Sequence, residues 1–300
     1  MGTRFWLWAA AACFLAPGWA RAASHDINLN GTFEDGTGIL FSCTPAPCEP
    51  DNDGFRSLAT ELAYVVAPRI IAPAKTLGHA GFDVGIAWAG SFVSGDDFWL
   101  LTEEGQEDRQ PTEFLQTLQV EFRKGLPFSF EVGANVQWII DSEMVAPGID
   151  LRWAFHEGYD FLPDFALRAA VNTLLGTRDF DLTVASFDLT ISESFVVGGL
   201  IELAPYVSWG FLLIHASTGV VDPTPTEFVL EEGVLRPDVE NDIVFETVNA
   251  TDDLNGRLTF GLRTLFSIVE LAVQGELQMF SQGDAVGPVA TIAARVGLQY

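Results

Sequence analysis

The chain has 300 residues, and its 41 acidic side chains far outnumber its 15 lysines and arginines, which gives a formal net charge of −26. A charge of this sign disfavours nucleic acid as a partner, because the phosphate backbone is itself anionic. It favours cations, basic proteins or lipid head groups that are bridged by divalent ions.

The first 22 residues have the features of a secretory signal peptide. Arg4 provides the positive charge near the start, residues 5–16 form a short apolar run, and residues 20–22 read Ala-Arg-Ala, a small-x-small cleavage site. This order predicts Sec-type export, with cleavage near Ala22 and a mature chain that starts at Ala23.

Residues 23–79 are predicted to form a polar leader. Its two cysteines, Cys43 and Cys48, are close together, and export to an oxidising compartment favours a small disulfide loop. Within residues 55–66 the apolar side chains fall at helical spacing, which predicts a plug helix or a periplasmic helix. Alternate residues of the same segment are also apolar, so a strand is the other interpretation.

Residues 80–300 show repeated segments of about ten residues in which apolar and polar side chains alternate. In the first segment Phe82, Val84 and Ile86 share one face, while Asp83 and Gly85 share the other. Such alternation predicts antiparallel strands. The segments number about ten, with twelve as the alternative, and they predict an all-β fold.

Two segments depart from this regular pattern. Residues 195–214 are long enough and apolar enough for a transmembrane helix. Glu202, Pro205 and the alternation of apolar side chains favour a strand instead. In residues 180–192 the apolar phase shifts by one residue near Ala185 and Ser186, which predicts a β-bulge.

The last strand decides the class that the chain resembles. Residues 286–300 read VGPVATIAARVGLQY, with one apolar face, one polar face and an aromatic residue, Tyr300, at the end. A chain with an export signal, alternating strands and this terminal strand resembles the outer-membrane β-barrel proteins of Gram-negative bacteria, without matching a specific family. The resemblance implies a monomeric antiparallel transmembrane barrel in the outer membrane, with apolar side chains towards lipid.

The barrel interior is the candidate site that this resemblance implies. The charged residues of the inward parity are Asp83, Glu121, Arg123, Glu131, Asp150, Arg152, Arg168, Glu202, Arg263, Glu270, Glu276 and Arg295. They are interpreted either as an ion-pair network that fills the interior or as a narrow selectivity path.

Two long connections are strongly acidic and are expected outside the cell. Residues 94–113 contain seven acids and one arginine, and residues 215–256 contain ten acids and one arginine. We expect no cofactor, apart from Ca²⁺ or Mg²⁺ bound loosely at these loops. No complete calcium-binding loop is present, so no metal ligands are assigned.

Three functions follow from these features. The first is a narrow channel for the passive or facilitated passage of small solutes. The alternative is a structural or surface-interaction barrel that acts through its acidic loops, and the third is a barrel hydrolase. No serine elbow and no His-Glu-x-x-His motif occurs, and His156 and His215 are expected at opposite membrane faces, so we predict that the protein is not an enzyme.

Overall fold

The computed structural model describes most of the chain after the predicted signal peptide. The described residues are 24–32, 38–43, 47–158, 162–177, 179–223, 228–231, 234–237, 242–251, 254–280 and 287–300. The predicted signal peptide, residues 1–22, therefore lies outside the described residues.

Ten long antiparallel strands form one closed barrel, which confirms the predicted all-β fold and selects ten strands over twelve. Each strand pairs with its neighbours in the chain, and the last strand pairs with the first. The strands are β1 (Phe82–Phe92), β2 (Phe114–Leu126), β3 (Phe130–Ile139), β4 (Val145–His156), β5 (Asp164–Leu174), β6 (Phe180–Ser192), β7 (Ile201–Thr218), β8 (Asn255–Phe266), β9 (Val269–Phe280) and β10 (Ala290–Gln299). A short strand, Phe195–Val197, pairs with the start of β7 in the same sheet. Short strands outside this sheet are Phe41–Ser42 with Glu49–Pro50, and Phe228–Glu231 with Val234–Pro237.

The outer wall of the barrel is an apolar surface. Ile86 and Val120 are each 50% exposed, whereas their chain neighbours Ala87 and Glu121 are 1% and 7% exposed. Aromatic side chains mark both ends of this surface: Phe82, Phe130, Trp153, Phe155 and Tyr300 at one end, and Phe92, Phe114, Trp138 and Phe280 at the other. Closed backbone pairing and an apolar wall between aromatic belts are what lipid requires. The fold is that of an outer-membrane β-barrel.

The two ends of the barrel differ in the length of their connections. At one end, which we call the turn end, strands are joined by segments such as 127–129 and 267–268. At the other, which we call the loop end, connections 93–113 and 219–254 are long. Short turns face the periplasm and long loops face outwards in barrels of this type, so we expect the loop end to be the outer one.

The predicted helix is present as α1 (Asn52–Val66), and it lies inside the barrel rather than in the periplasm. The Oδ1 atom of Asp51 caps its start by accepting a 3.0 Å hydrogen bond from the amide of Gly54. Pro68 ends it, because the residue before a proline is driven to an extended conformation. A second helix, α2 (Glu103–Asp108), lies in connection 93–113 after a 3₁₀ turn (Asp97–Leu101). Among the described residues, no helix has the length and apolarity needed to cross a bilayer.

The β-bulge predicted in β6 is wrong. β6 pairs with β7 without a break, from Phe180 opposite Thr218 to Ser192 opposite Tyr206. Phe180 is buried inside the barrel and Phe187 is exposed on the wall, although both are apolar. The alternation of inward and outward residues is therefore unbroken along the strand. The inward residues near the loop end are apolar because that half of the interior is itself apolar.

Candidate functional site: a plugged lumen

Helix α1 fills the half of the lumen at the loop end. Leu58, Leu62 and Val65 are each at most 1% exposed and belong to one apolar cluster with inward residues of the wall. The inward members on the strands are Leu115, Ile139, Leu174, Phe180, Leu182, Val184, Leu212, Ile214 and Ala216. Burial of both apolar surfaces against each other holds the helix in place.

The wall supplies hydrogen bonds to the C-terminus of α1. Gln137 Nε2 donates to the carbonyl oxygen of Val65 at 2.7 Å, and Asn172 Nδ2 donates to that of Val66 at 2.9 Å. The last carbonyls of a helix have no partner within the helix, so these side chains satisfy groups that would otherwise be buried and unpaired.

Two arginines of the wall donate to one carbonyl oxygen just after the helix ends. Arg168 Nη1 and Arg257 Nη1 donate to the carbonyl oxygen of Pro68 at 3.3 and 3.1 Å. Their positive charges lie at the negative end of the helix dipole, where cations are stabilising. The helix therefore ends at a site built for it by the strands β3, β5 and β8.

Residues 67–77, which we call the strap, continue from α1 along the lumen to the turn end. Arg152 Nη1 donates to the carbonyl oxygen of Pro73 at 3.3 Å, and Ser192 Oγ accepts from the amide of Ala74 at 2.9 Å. The amide of Leu77 donates to Glu131 Oε2 at 3.2 Å. These three contacts use the backbone of the strap, while the side chains of Arg69 and Thr76 add ion-pair and hydrogen-bond contacts to Glu276 and Glu157.

The half of the lumen at the turn end is filled by ion pairs. Arg295 contacts Asp83, Glu121 and Glu270, and its side chain is fully buried. Arg123 lies beside the same group, 3.0 Å from Asp83 and 3.4 Å from Glu270. Two guanidinium groups and three carboxylates thus form one cluster, in which every carboxylate contacts a guanidinium.

Further ion pairs extend this cluster around the lumen. Arg152 pairs with Glu131 at 3.3 Å, and Arg263 pairs with Glu202 at 2.5 Å. Other pairs among the described residues are Arg123 with Glu121 and Glu131, Arg168 with Asp150 and Asp188, Arg257 with Asp188 and Glu276, Arg69 with Glu276, and Arg263 with Glu270. Every arginine in these pairs lies within 4.0 Å of a carboxylate.

Inward glycines make room for these long side chains. A Cβ atom at Gly85 would collide with the guanidinium of Arg295, and one at Gly297 would lie 2.6 Å from its Nη1 atom. Gly133 and Gly210 leave the same kind of space beside Asp150 and Asp188. A glycine in a strand often marks such a close approach.

The structure places all twelve predicted lumen residues in this network. Ten are buried, while Asp150 and Glu202 are of intermediate exposure as whole residues, with side chains 8% and 22% exposed. The sequence reasoning missed Arg69, Asp188 and Arg257. Asp188 and Arg257 have inward parity on β6 and β8, a signal that could have found them, but Arg69 on the strap has no periodic signal.

Glu61 links the plug to the surface at the loop end. Its carboxylate is fully buried, and Oε2 accepts hydrogen bonds from Trp99 Nε1 at 2.8 Å and from the amide of Ser94 at 3.0 Å. Both donors belong to connection 93–113. The position of the plug and the position of this connection are therefore coupled through one side chain.

The described part of residues 24–51 and the connection 93–113 together form what we call the cap. Their backbones are joined by hydrogen bonds from Glu103 to Asp26 at 3.0 Å and from Glu104 to Ser24 at 2.8 Å. His25 anchors the cap to the barrel through a 2.9 Å bond from its amide to the carbonyl oxygen of Asp141. The described part of residues 24–51 thus lies on the loop end, and it contains the disulfide between Cys43 and Cys48.

Within the described ranges, no group of three or more histidine, cysteine or acidic side chains has the arrangement of a metal site. His156 lies at the turn end, where its Nδ1 atom is 3.1 Å from the carbonyl oxygen of Pro163. His215 lies near the loop end of β7, so the two histidines do not share a site.

No family model and no curated protein matches this chain. Several solved structures are similar in fold. Ail, the attachment invasion locus protein of Yersinia pestis, is 12% identical with a TM-score of 0.27, over 74% of this chain and 99% of that chain. The outer membrane protease OmpT from Escherichia coli is 9% identical with a TM-score of 0.38, over 78% and 99%. The translocator domain of the autotransporter NalP from Neisseria meningitidis is 11% identical with a TM-score of 0.33, over 83% and 95%. At these identities the similarity concerns the barrel alone and assigns no activity to this chain.

Proposed function

We propose that the protein is a plugged monomeric barrel that acts at the cell surface through its acidic loop end. The observation that carries this proposal is the filled lumen. Helix α1, the strap and the ion-pair network occupy it in succession from the loop end to the turn end. A narrow channel for small solutes would need a path past all three, so this arrangement favours the surface-interaction barrel over the channel.

The cap offers a surface that fits cationic partners. Glu104, Glu107 and Asp108 on α2 are exposed, and the only base in connection 93–113 is Arg109. Together with the acids of residues 215–256 they give the loop end a strongly negative potential, which attracts basic proteins and divalent cations. Ca²⁺ or Mg²⁺ at this surface would also bridge it to the phosphates of outer-leaflet lipid. The proposal gives the protein no catalytic activity.

Conductance in planar bilayers tests the plugged state. We expect the wild-type barrel to show no stable open level, because the plug is held by burial and by hydrogen bonds. The double variant Leu58→Asp/Leu62→Asp puts charges into the apolar contact of α1 and should release the helix and produce conductance. Asp53→Asn, at an exposed position of the same helix, is the matched control and should stay closed. Stable conductance by the wild type would favour the channel instead.

Binding of fluorescent polylysine to intact cells tests the surface role. Replacing Glu104, Glu107 and Asp108 with their amides should reduce binding, and the reduction should shrink as salt screens the charges. Glu193→Gln, at the turn end, is the control and should leave binding unchanged. If the amide variant binds as well as the wild type, the acidic cap is not the interaction surface.

A further inference from the structure

The segment between the cap and β1 joins the two ends of the barrel through its interior. Residues 24–31 are hydrogen-bonded to the loop end, through His25 to Asp141 and through Asn28 to Leu101. The other end of the segment reaches the turn end, where the amide of Phe82 donates to the carbonyl oxygen of Tyr300 at 2.9 Å. The backbone passes from one rim to the other between these two points.

The wall contacts along this route show what kind of ligand the lumen accepts. Donors of the wall reach carbonyl oxygens, as Asn172 does at Val66 and Arg152 at Pro73. Acceptors of the wall reach amides, as Ser192 does at Ala74. A lumen that binds the backbone at both kinds of group has contacts suited to a polypeptide, and side-chain contacts such as Arg69 with Glu276 add to them.

Several residues of the strap favour a non-helical chain in a narrow space. Pro68 and Pro73 fix their own backbone angles and disfavour helix at the residues before them. Ala67, Ala72 and Ala74 add little bulk, and each is at most 2% exposed. Residues 67–77 form neither helix nor strand, and a chain outside helices covers up to roughly 3.3 Å per residue, so few residues are needed to cross the barrel.

We infer that the lumen is a conduit for the protein's own N-terminal polypeptide, which it delivers to the outer face and then retains as the plug. The loop end is the outer end, and an exported chain approaches the outer membrane from the periplasm. The described part of residues 24–51 therefore had to cross the membrane to reach the cap, and the barrel interior holds the chain that followed it. This inference rests on the orientation of the barrel and not on the binding role proposed for the cap.

Antibody labelling of intact cells tests the inference with three versions of the full-length chain. One carries an epitope directly before Ser24, one carries it between Gly219 and Val220 at the loop end, and one carries it between Gly198 and Gly199 at the turn end. The two internal sites are open, because a Cβ atom at Gly198, Gly199 or Gly219 would meet no atom within 4 Å. Heat-modifiable mobility in a gel confirms that each version folds.

We expect the epitope before Ser24 to be labelled on intact cells as strongly as the loop-end epitope. The turn-end epitope should be labelled only after the outer membrane is permeabilised. Labelling of the Ser24 epitope only after permeabilisation would overturn the inference, whether the loop-end epitope is labelled on intact cells or not. Labelling of the turn-end epitope on intact cells would overturn it as well, because the barrel would then have the opposite orientation.

Discussion

The indole of Trp99 donates a 2.8 Å hydrogen bond to the buried carboxylate of Glu61 and so joins the cap to the plug. Trp99→Phe removes this donor and leaves the carboxylate with one fewer partner. We expect the free energy of unfolding to fall by about 1–3 kcal/mol, as for other buried polar groups that lose a partner. Trp138→Phe is the matched control, since Trp138 is 41% exposed and its bond to the carbonyl oxygen of Ser142 lies at the rim. Urea titration measures both, and equal losses would contradict a special role for Trp99.

The space at Gly85 should be essential to the ion-pair cluster. Gly85→Ala places a methyl group against the guanidinium of Arg295, and overpacking of this kind costs about 1–3 kcal/mol. Gly219→Ala is the control, because a methyl group there meets open space. Thermal unfolding of the purified barrel should show a lower midpoint for the first variant alone. An unchanged midpoint for Gly85→Ala would mean that Arg295 has room to move away.

The position of the membrane on the lipid-facing wall can be tested by introducing a charge at two depths. Val120 lies near the middle of β2 and is 50% exposed, whereas Val132 lies near the turn end of β3 and is 38% exposed. Val120→Arg should cost about 2–4 kcal/mol, and Val132→Arg should cost less because it is nearer the interface. Unfolding in lipid vesicles gives both values. A larger cost at Val132 would show that the membrane is centred elsewhere.

The terminal aromatic residue should matter for assembly. The rings of Phe82 and Tyr300 stack with centroids 5.0 Å apart, and their backbones exchange hydrogen bonds of 2.9 and 2.8 Å. Tyr300→Asp places a charge in the aromatic belt and should reduce the folded fraction seen in an unheated gel. Tyr300→Phe keeps the ring and should fold normally. If Tyr300→Asp also folds normally, the belt contact is dispensable.

Divalent cations should order the acidic loops without affecting the barrel. Carboxylates gathered at one rim repel each other, and Ca²⁺ or Mg²⁺ would relieve this repulsion. We expect a chelator to speed proteolysis within residues 219–254, while the closed backbone pairing of the strands keeps the barrel intact. Added monovalent salt at matched ionic strength is the control. Identical cleavage with and without chelator would show that these loops bind no divalent cation.

The wall of the barrel was predictable from the sequence because its signal is local. In β1, Val84 and Ile86 face lipid and Asp83 faces the lumen, and a period of two shows this within a few residues. The twelve predicted lumen charges lie inside for the same reason. Each one alternates with an apolar neighbour on its own strand.

The plug was less predictable because its contacts are distant in the chain. Asn172 and Val66, or Arg257 and Pro68, carry no pattern that relates one to the other. The same limit explains the error in β6, where Leu182 and Val184 face α1 rather than lipid. A change of apolar phase within a membrane strand has two physical sources, a bulge or an apolar object inside the barrel, and the strand alone does not distinguish them.

The pairing of β1 with β10 has a kinetic consequence. Nine of the ten strand pairs join neighbours in the chain. The tenth, the seam between β1 and β10, brings together Phe82 and Tyr300 from the two ends of the barrel sequence. The entropy lost on closing a loop rises with its length, and contacts between distant residues form slowly. The barrel should therefore grow as an open sheet and shut last at the seam. Until the barrel closes, β1 and β10 have unpaired edges that can pair with other chains and aggregate. We therefore expect the need for periplasmic chaperones to depend on the rate of assembly rather than on the stability of the finished barrel.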